Sequence, residues 1–250
     1  MKIAIAQPTY LPWLGYFDLV DKVDRFVLLD TVQFEKRSWQ QRNRIKIPGG
    51  LQWLTVPVLS RGQQAQRIVD VEIEKAEFWR DHLRTVELNY RRAPFFHQYY
   101  PVLSGLLRSQ SSGLRLSELT IGLLRWFADV MQIKTPILRS SELPVQGKRT
   151  ELLASICSWS EATTYLSPLG SADYLLEELP LLTHRGIDVL FQHYEHPEYR
   201  QLFPPFQPYA SVLDVLFNEG ENALQIIRSG RRPPFTPEEA ALRLNEKVNS

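Results

Sequence analysis

An α/β chain built on a parallel sheet is predicted by three features of this sequence. Two short apolar runs without a two-residue period, Lys2-Ile3-Ala4-Ile5-Ala6 and Arg25-Phe26-Val27-Leu28-Leu29, read as strands covered on both faces. Between them Phe17, Val20 and Val23 share one face of a helix. Strand-like and helix-like stretches alternate again over residues 135–191. Such alternation favours parallel βαβ units, with ligands bound at the carboxyl ends of the strands.

The elements follow in order. Pro8 and Pro12 end the first strand, since proline continues neither a ladder nor a helix interior, so Gln7 to Trp13 is a loop. Gly15 behind it lets backbone approach a ligand. The second strand ends by exposing Asp30. Arg44 to Ile47 and Leu51 to Leu59 flank Pro48-Gly49-Gly50 and read as an inserted β-hairpin. Ile68 to Ile73 alternates apolar and acidic residues, as a half-exposed strand does. Residues 76–131 form a helical block of three helices, Ala76 to Tyr90, Pro94 to Leu107 and Leu116 to Met131. The pattern resumes with strand Thr135 to Leu138, helix Arg149 to Trp159, strand Thr163 to Leu166, helix Ser171 to Leu182 and strand Ile187 to Phe191. Residues 1–228 are therefore expected to be a single α/β domain. The charged, proline-punctuated stretch 229–250 is a C-terminal tail that wraps the surface or stays disordered.

Composition narrows the function classes. The chain has 250 residues, is 44% hydrophobic and 23% charged, and carries a net charge of +1. A near-neutral balance excludes the summed basic charge that nucleic-acid binding needs. No window reaches the ~20 apolar residues of a membrane span. The N-terminus starts its strand at once without a basic-plus-apolar leader, so the cytoplasm is the expected compartment. The lone Cys157 permits no intrachain disulfide and sits on an apolar helix face as core.

Candidate chemistry gathers in the loops after the first two strands. Gln7, Tyr10, Trp13 and Tyr16 are polar-tipped residues on a proline-stiffened loop, suited to stack on a ring and hydrogen-bond its edge, or alternatively to fill a packed loop. Asp30, with Gln33 nearby, is placed to act as a general base or to orient an amine; it can also cap its loop. Lys36, Arg37, Arg42, Arg44 and Lys46 surround Trp39 and Asn43, and suit a diphosphate if they are not simply a solvated face. Arg44 and Lys46 share a face of their strand and are the better pair. Ser167 opens a strand-to-helix loop ending at Ser171, whose free N–H groups suit an anion or an oxyanion, or serve an ordinary N-cap. Lys148 and Thr150 are similar candidates. His193 and His196 follow the last strand; Pro197 breaks the helix a metal pair would need, so His193 reads as a catalytic base or a plain loop histidine. Ser211 and Asp214 read as a helix start and Gly220 as its stop. No metal set and no cofactor motif is assigned, and neither a P-loop nor G-x-S-x-G is present.

QPTYLPWLGYF at residues 7–17, DTVQF at 30–34, Trp39 with Arg42-Asn43-Arg44, and LTVPV at 54–58 together resemble the WbqC-like family. KRTEL at 148–152, TYLS at 164–167, His196-Pro197 with Tyr199 and Gln201, and SVLDVLFNEG at 211–220 agree with it. The resemblance implies an association with O-antigen gene clusters and an aminoacyl (glycine) transfer onto an amino sugar in surface-polysaccharide synthesis. The expected partners are a nucleotide-linked amino sugar and an acyl-carrier or aminoacyl donor. The first βαβ unit also resembles the nucleotidylyltransferase-like (HUP) layer arrangement. In place of that superfamily's His-x-Gly-His stands Trp13-Leu14-Gly15-Tyr16, which lacks both cationic donors. Two alternatives stay open: nucleotide-dependent activation, and a noncatalytic sugar- or nucleotide-binding subunit.

Overall fold

Ile3, Ala4 and Ile5 are all buried, yet they do not share one core, because successive side chains leave a strand on opposite faces. A computed structural model describes residues 1–60, 62, 65–109 and 114–248, with side chains to 246. Positions 110–113, inside the expected helical block, and 249–250, at the end of the expected tail, lie outside the described residues. The chain runs β1 (Lys2–Ala6), α1 (Leu14–Asp21), β2 (Arg25–Leu28), then the hairpin β3 (Arg42–Ile47) and β4 (Gly50–Thr55). Helices α2 (Phe78–Tyr90), α3 (Phe96–Ser109) and α4 (Leu116–Val130) follow, then β5 (Ile137–Arg139), α5 (Arg149–Trp159) and β6 (Thr164–Ser167). The chain closes with α6 (Ala172–Leu175), α7 (Pro180–Thr183), β7 (Asp188–Phe191), α8 (Val212–Glu219), α9 (Ala223–Ser229) and α10 (Pro237–Val248).

The expected α/β class is confirmed. Five parallel strands lie in the order β5-β2-β1-β6-β7, beside a separate antiparallel hairpin. Ala4, Phe26, Leu28 and Leu166 face a core shared with α1, the hairpin, the helices of residues 78–130 and α8. Ile3, Ile5, Val27 and Tyr165 face a second core built by the helices of residues 149–183 and by Ala240 of α10. Cover on both faces explains the continuous apolar runs. The sheet grows in one direction from β1 to β5 and in the other from β1 to β7, so the strand order reverses between β1 and β6. That reversal leaves a crevice at their carboxyl ends.

Two expectations are corrected. Ile68 to Ile73 is not a strand but a 3-10 turn at Ile68–Asp70 flanked by isolated bridges, because Ile68, Val71 and Ile73 each anchor separately in the core. The helix expected over Ser171 to Leu182 is two short helices, the second with Pro180 in its first turn. In the stretch after Arg228, Phe235 and Phe191 exchange backbone hydrogen bonds of 2.8 and 2.9 Å, and α10 packs on the sheet, so the described part of the tail follows the surface-wrapping alternative. Arg231 in this stretch donates to Asp18 at 2.7 Å and to Asp21 at 2.6 Å.

Behind the loop that follows β1, His82 on α2 joins two separate segments. Its Nε2 lies 3.2 Å from the Thr55 carbonyl, which only accepts, so Nε2 carries the proton and Nδ1 accepts from the Tyr10 hydroxyl at 2.8 Å. Burial lowers the His82 pKa to about 4, against the opposing pull of the Thr55 carbonyl and Asp81. The unfolded chain therefore binds this proton more readily than the folded one. The resulting stability is complete above about pH 6.5 and is lost as pH falls toward about 4, by roughly 3 kcal/mol in all. Denaturant midpoints over this range should fall more steeply for the parent than for His82→Gln; parallel profiles would remove His82 as the cause.

Candidate active site

Two cavities, of about 330 and 420 Å³, lie side by side beyond β1 and share Thr9, Tyr16 and Trp39. The first is aromatic, walled also by Trp13, Tyr209 and Arg44. The second occupies the crevice between β1 and β6, with Gln7, Glu35, Gln40, Pro168, Ser171 and Tyr174 in its wall. Ligand cavities at such a strand-order reversal are a general property of open parallel sheets.

The loop after β1 is held from several sides. Leu11 sits at φ 45°, a left-handed conformation that costs an L residue ~1–3 kcal/mol unless its surroundings fix it. Asn43 supplies part of that fixing by donating from Nδ2 to the Leu11 carbonyl at 2.7 Å. Tyr10 N donates to Trp39 O at 3.0 Å, tying this loop to the one after β2. Tyr16 donates to the Gln7 carbonyl at 3.0 Å, and Gln40 donates to Gln7 Oε1 at 2.7 Å. Ser211 N donates to Arg44 O and Val212 N to Pro12 O, both at 2.8 Å, so the start of α8 clamps the loop to β3.

Trp13 folds back over Gly15, where any Cβ would collide with the indole. This close approach explains the glycine better than contact with a ligand. Trp13 stacks on His196 at 6.3 Å, meets Tyr194 edge-on at 5.6 Å and Tyr209 at 5.5 Å. Burial raises the pKa of the Tyr10, Tyr16 and Tyr194 hydroxyls and lowers that of the His196 imidazole. Arg44 is the one charged side chain among the described residues that line the aromatic cavity.

Of the residues expected to form the site, Gln7, Trp13, Tyr16 and Arg44 line this cleft. Tyr10 and Asn43 stand behind it as supports. Ser167 is buried beneath it, its Oγ 2.6 Å from that of Ser171, which does reach the wall. Gln33 is exposed and bridges to Arg67, away from the cleft-lining set. His193 stacks on Phe235 at 4.1 Å and lies 3.5 Å from Glu195. Neither cavity is lined by it.

Asp30 is a correction. It does not open into the cleft but is fully buried, accepting from Arg139 Nε at 2.9 Å, Ser140 Oγ at 3.0 Å, Ser141 N at 2.9 Å and Ser141 Oγ at 2.8 Å. A carboxylate with four protein donors is a clasp between β2 and the turn after β5. Lys46 is likewise buried, at 1% exposure, with no hydrogen-bond partner for Nζ.

Its backbone N donates to Tyr90 Oη at 2.8 Å, and Tyr90 in turn donates to Asp214 at 2.8 Å. Tyr199 and Gln201 complete that buried carboxylate at 2.8 and 2.9 Å. Burial pushes the Asp214 carboxyl up, against the pull of Tyr199, Tyr90, Gln201 and Lys46. From sequence alone Asp214 reads only as a helix-start residue. Ser211 does cap α8, its Oγ accepting from Leu213 N at 3.2 Å.

Thr9, Glu35, Tyr174 and Tyr209 were missed. From sequence Trp39 stands at the centre of a basic stretch and among the residues that carry the family resemblance, without a place in the site. Trp39 lies shortly before β3 and is half-exposed there, a placement that the structure and not the sequence supplies.

Comparison with known proteins agrees with the motifs. The WbqC-like protein family matches residues 7–226. The uncharacterized protein Rv1507c of Mycobacterium tuberculosis is 36% identical over 233 residues, covering 92% of this chain and 99% of that protein. No solved structure matches. Among the described residues no helix is long and apolar enough to cross a membrane. On the family match and the full-length relative together, the chain belongs to the WbqC-like protein family.

Proposed function

We propose that the protein is an aminoacyltransferase, moving glycine or a similarly small aminoacyl group from an activated donor onto the amine of a sugar destined for a surface polysaccharide. The observation that carries this reading is the pair of cavities sharing Thr9, Tyr16 and Trp39. A transfer between two molecules needs both held side by side, so that their freedom is lost on binding rather than at the transition state. Trp13, Trp39 and Tyr209 offer flat faces for a sugar ring, and Arg44 a charge for an acidic substituent.

Glu35 is the one carboxylate among the described residues of either wall. As the sugar nitrogen bonds to the acyl carbon, Glu35 takes the ammonium proton and returns it to the departing group. Ser38 and Ser171, also in the wall, donate their hydroxyl protons to the Glu35 and Pro168 carbonyls at 2.7 Å, and a turn of either hydroxyl away from its carbonyl presents that proton to the oxyanion. Direct attack by the amine needs no nucleophile from the protein, in keeping with walls that hold no cysteine or histidine among the described residues. The crevice position of the second cavity also favours a nucleotide reading, in which ATP or another nucleotide activates the acyl group there.

One experiment separates these. Purified protein is incubated with labelled glycine as free acid plus ATP, as carrier thioester and as aminoacyl-tRNA, each with a panel of nucleotide-linked amino sugars, and labelled amide is sought by mass spectrometry. Amide from a preactivated donor without ATP is the expected result. Amide only with ATP establishes the nucleotide reading. Sugar binding with no amide from any donor leaves a binding subunit and sinks the transferase.

A further inference from the structure

β3 carries Arg42, Arg44 and Lys46 at every second position, so all three share one face. In register with them across the hairpin stand Thr55, Trp53 and Leu51. The Arg42 guanidinium lies 4.3 Å over the Trp53 ring, and that of Arg44 lies 5.4 Å from Trp53 and 5.5 Å from Trp39. The two indoles are 5.2 Å apart and tilted by 40°. Trp39 is 48% and Trp53 41% exposed.

The arginines are also electrically uncompensated. Elsewhere arginines such as Arg139, Arg228 and Arg231 sit on carboxylates at 2.6–2.9 Å. Among the described residues, Arg42 and Arg44 form no ion pair with a carboxylate, and the Nε of each is buried without a partner. Stacking on indoles holds a guanidinium plane fixed without neutralising it. A solvated charged face has no use for two half-exposed tryptophans. Two fixed, unpaired guanidinium groups beside an open aromatic face instead match a ligand that joins several negative charges to a flat ring.

We propose that this hairpin face binds the nucleoside diphosphate half of an activated sugar, with the diphosphate on Arg42 and Arg44 and the base against Trp53. The proposal rests on the reading of the aromatic cavity as the sugar site, and it names how that sugar arrives. Arg44 and Trp39 belong to both the hairpin face and the cavity wall, so the diphosphate leads the sugar directly into the cavity. Trp53 belongs to neither cavity wall and is available as the base platform. Net charge of +1 and a cavity of only about 330 Å³ at the end of the track favour a small ligand over a nucleic-acid strand.

Calorimetric titration of the parent, Trp53→Leu and Arg42→Gln with uridine diphosphate, inorganic pyrophosphate and a uridine decamer tests this. Leucine keeps apolar cover over Arg42 but removes the aromatic face. The parent should bind uridine diphosphate about tenfold tighter than pyrophosphate, the gain expected from one stacked base. Trp53→Leu should remove that gain and weaken pyrophosphate binding by less than it weakens uridine diphosphate binding, whereas Arg42→Gln should weaken both alike. Equal affinity for uridine diphosphate and pyrophosphate in the parent overturns the base platform. Parental affinities in both variants, or decamer binding tighter than uridine diphosphate, overturn the proposal as a whole. Tight uridine diphosphate binding without any amide product would sink the transferase reading alone; amide from a free amino sugar with no uridine diphosphate binding would sink this one alone.

Discussion

Replacing Asp30 with asparagine lowers the unfolding free energy by about 3 kcal/mol, the lower end of the cost of breaking a buried ion pair. Asparagine keeps the shape of the side chain but offers one oxygen where four donors converge. If its oxygen faces Ser140 and the Ser141 N–H, its amide nitrogen faces the Arg139 Nε–H, and two donors meet in a fully buried place. The loss stays near the lower end because Arg139 keeps Glu118 at 2.7 Å. For a chain of this length that is a fall in melting temperature of about 10 °C. Chemical denaturation checks it. A change below ~1 kcal/mol would show that the clasp between β2 and the turn after β5 contributes little. Below its melting temperature the variant should still bind sugar, since Asp30 lies in neither cavity wall; a folded variant that binds but does not turn over would return Asp30 to the catalytic role expected from sequence.

Why Asp30 was misjudged separates what is local from what is not. The apolar runs at Ile3 and Phe26 announce buried strands because the signal lies within five residues, and the Pro8 and Pro12 loop announces itself the same way. A residue at the carboxyl end of a strand is a reasonable functional candidate only if nothing else reaches it. Arg139, Ser140 and Ser141 reach it from 109 to 111 positions downstream, at a distance no spacing rule covers. Lys46 has the same history. Its alternation with Arg44 is legible, but its burial depends on Tyr90 and Asp214, brought to β3 by α2 and α8. The tail was open between two courses for the same reason: its charges look like those of a solvated segment, and the partners of Arg231 and Arg232, Asp18 and Asp21 on α1 and Glu195 after β7, lie 37 to 213 positions away. The cleft was legible where the chain supplies it continuously, from Gln7 to Tyr16, and illegible where Glu35, Tyr174 and Tyr209 arrive from separate loops.

On the proposed chemistry, Glu35→Gln should lower turnover by about 10²- to 10⁴-fold, the contribution of a positioned general base, with little change in sugar affinity. Glu35 is exposed on the wall of the crevice cavity, so the amide costs the fold little, and melting of the variant should match the parent. Its backbone N already accepts the restraint that places it, donating to Gln40 Oε1 at 3.1 Å, and Gln40 is in turn tied to Gln7. That restraint acts on the main chain and survives the substitution, so a loss of turnover would report the carboxylate itself. Raising pH supplies free amine without the base, and should therefore recover part of the variant's rate while leaving the parent's nearly flat. A variant with parental turnover at neutral pH would show that the amine reaches the acyl carbon already deprotonated, and the role of this loop would reduce to shaping the cleft.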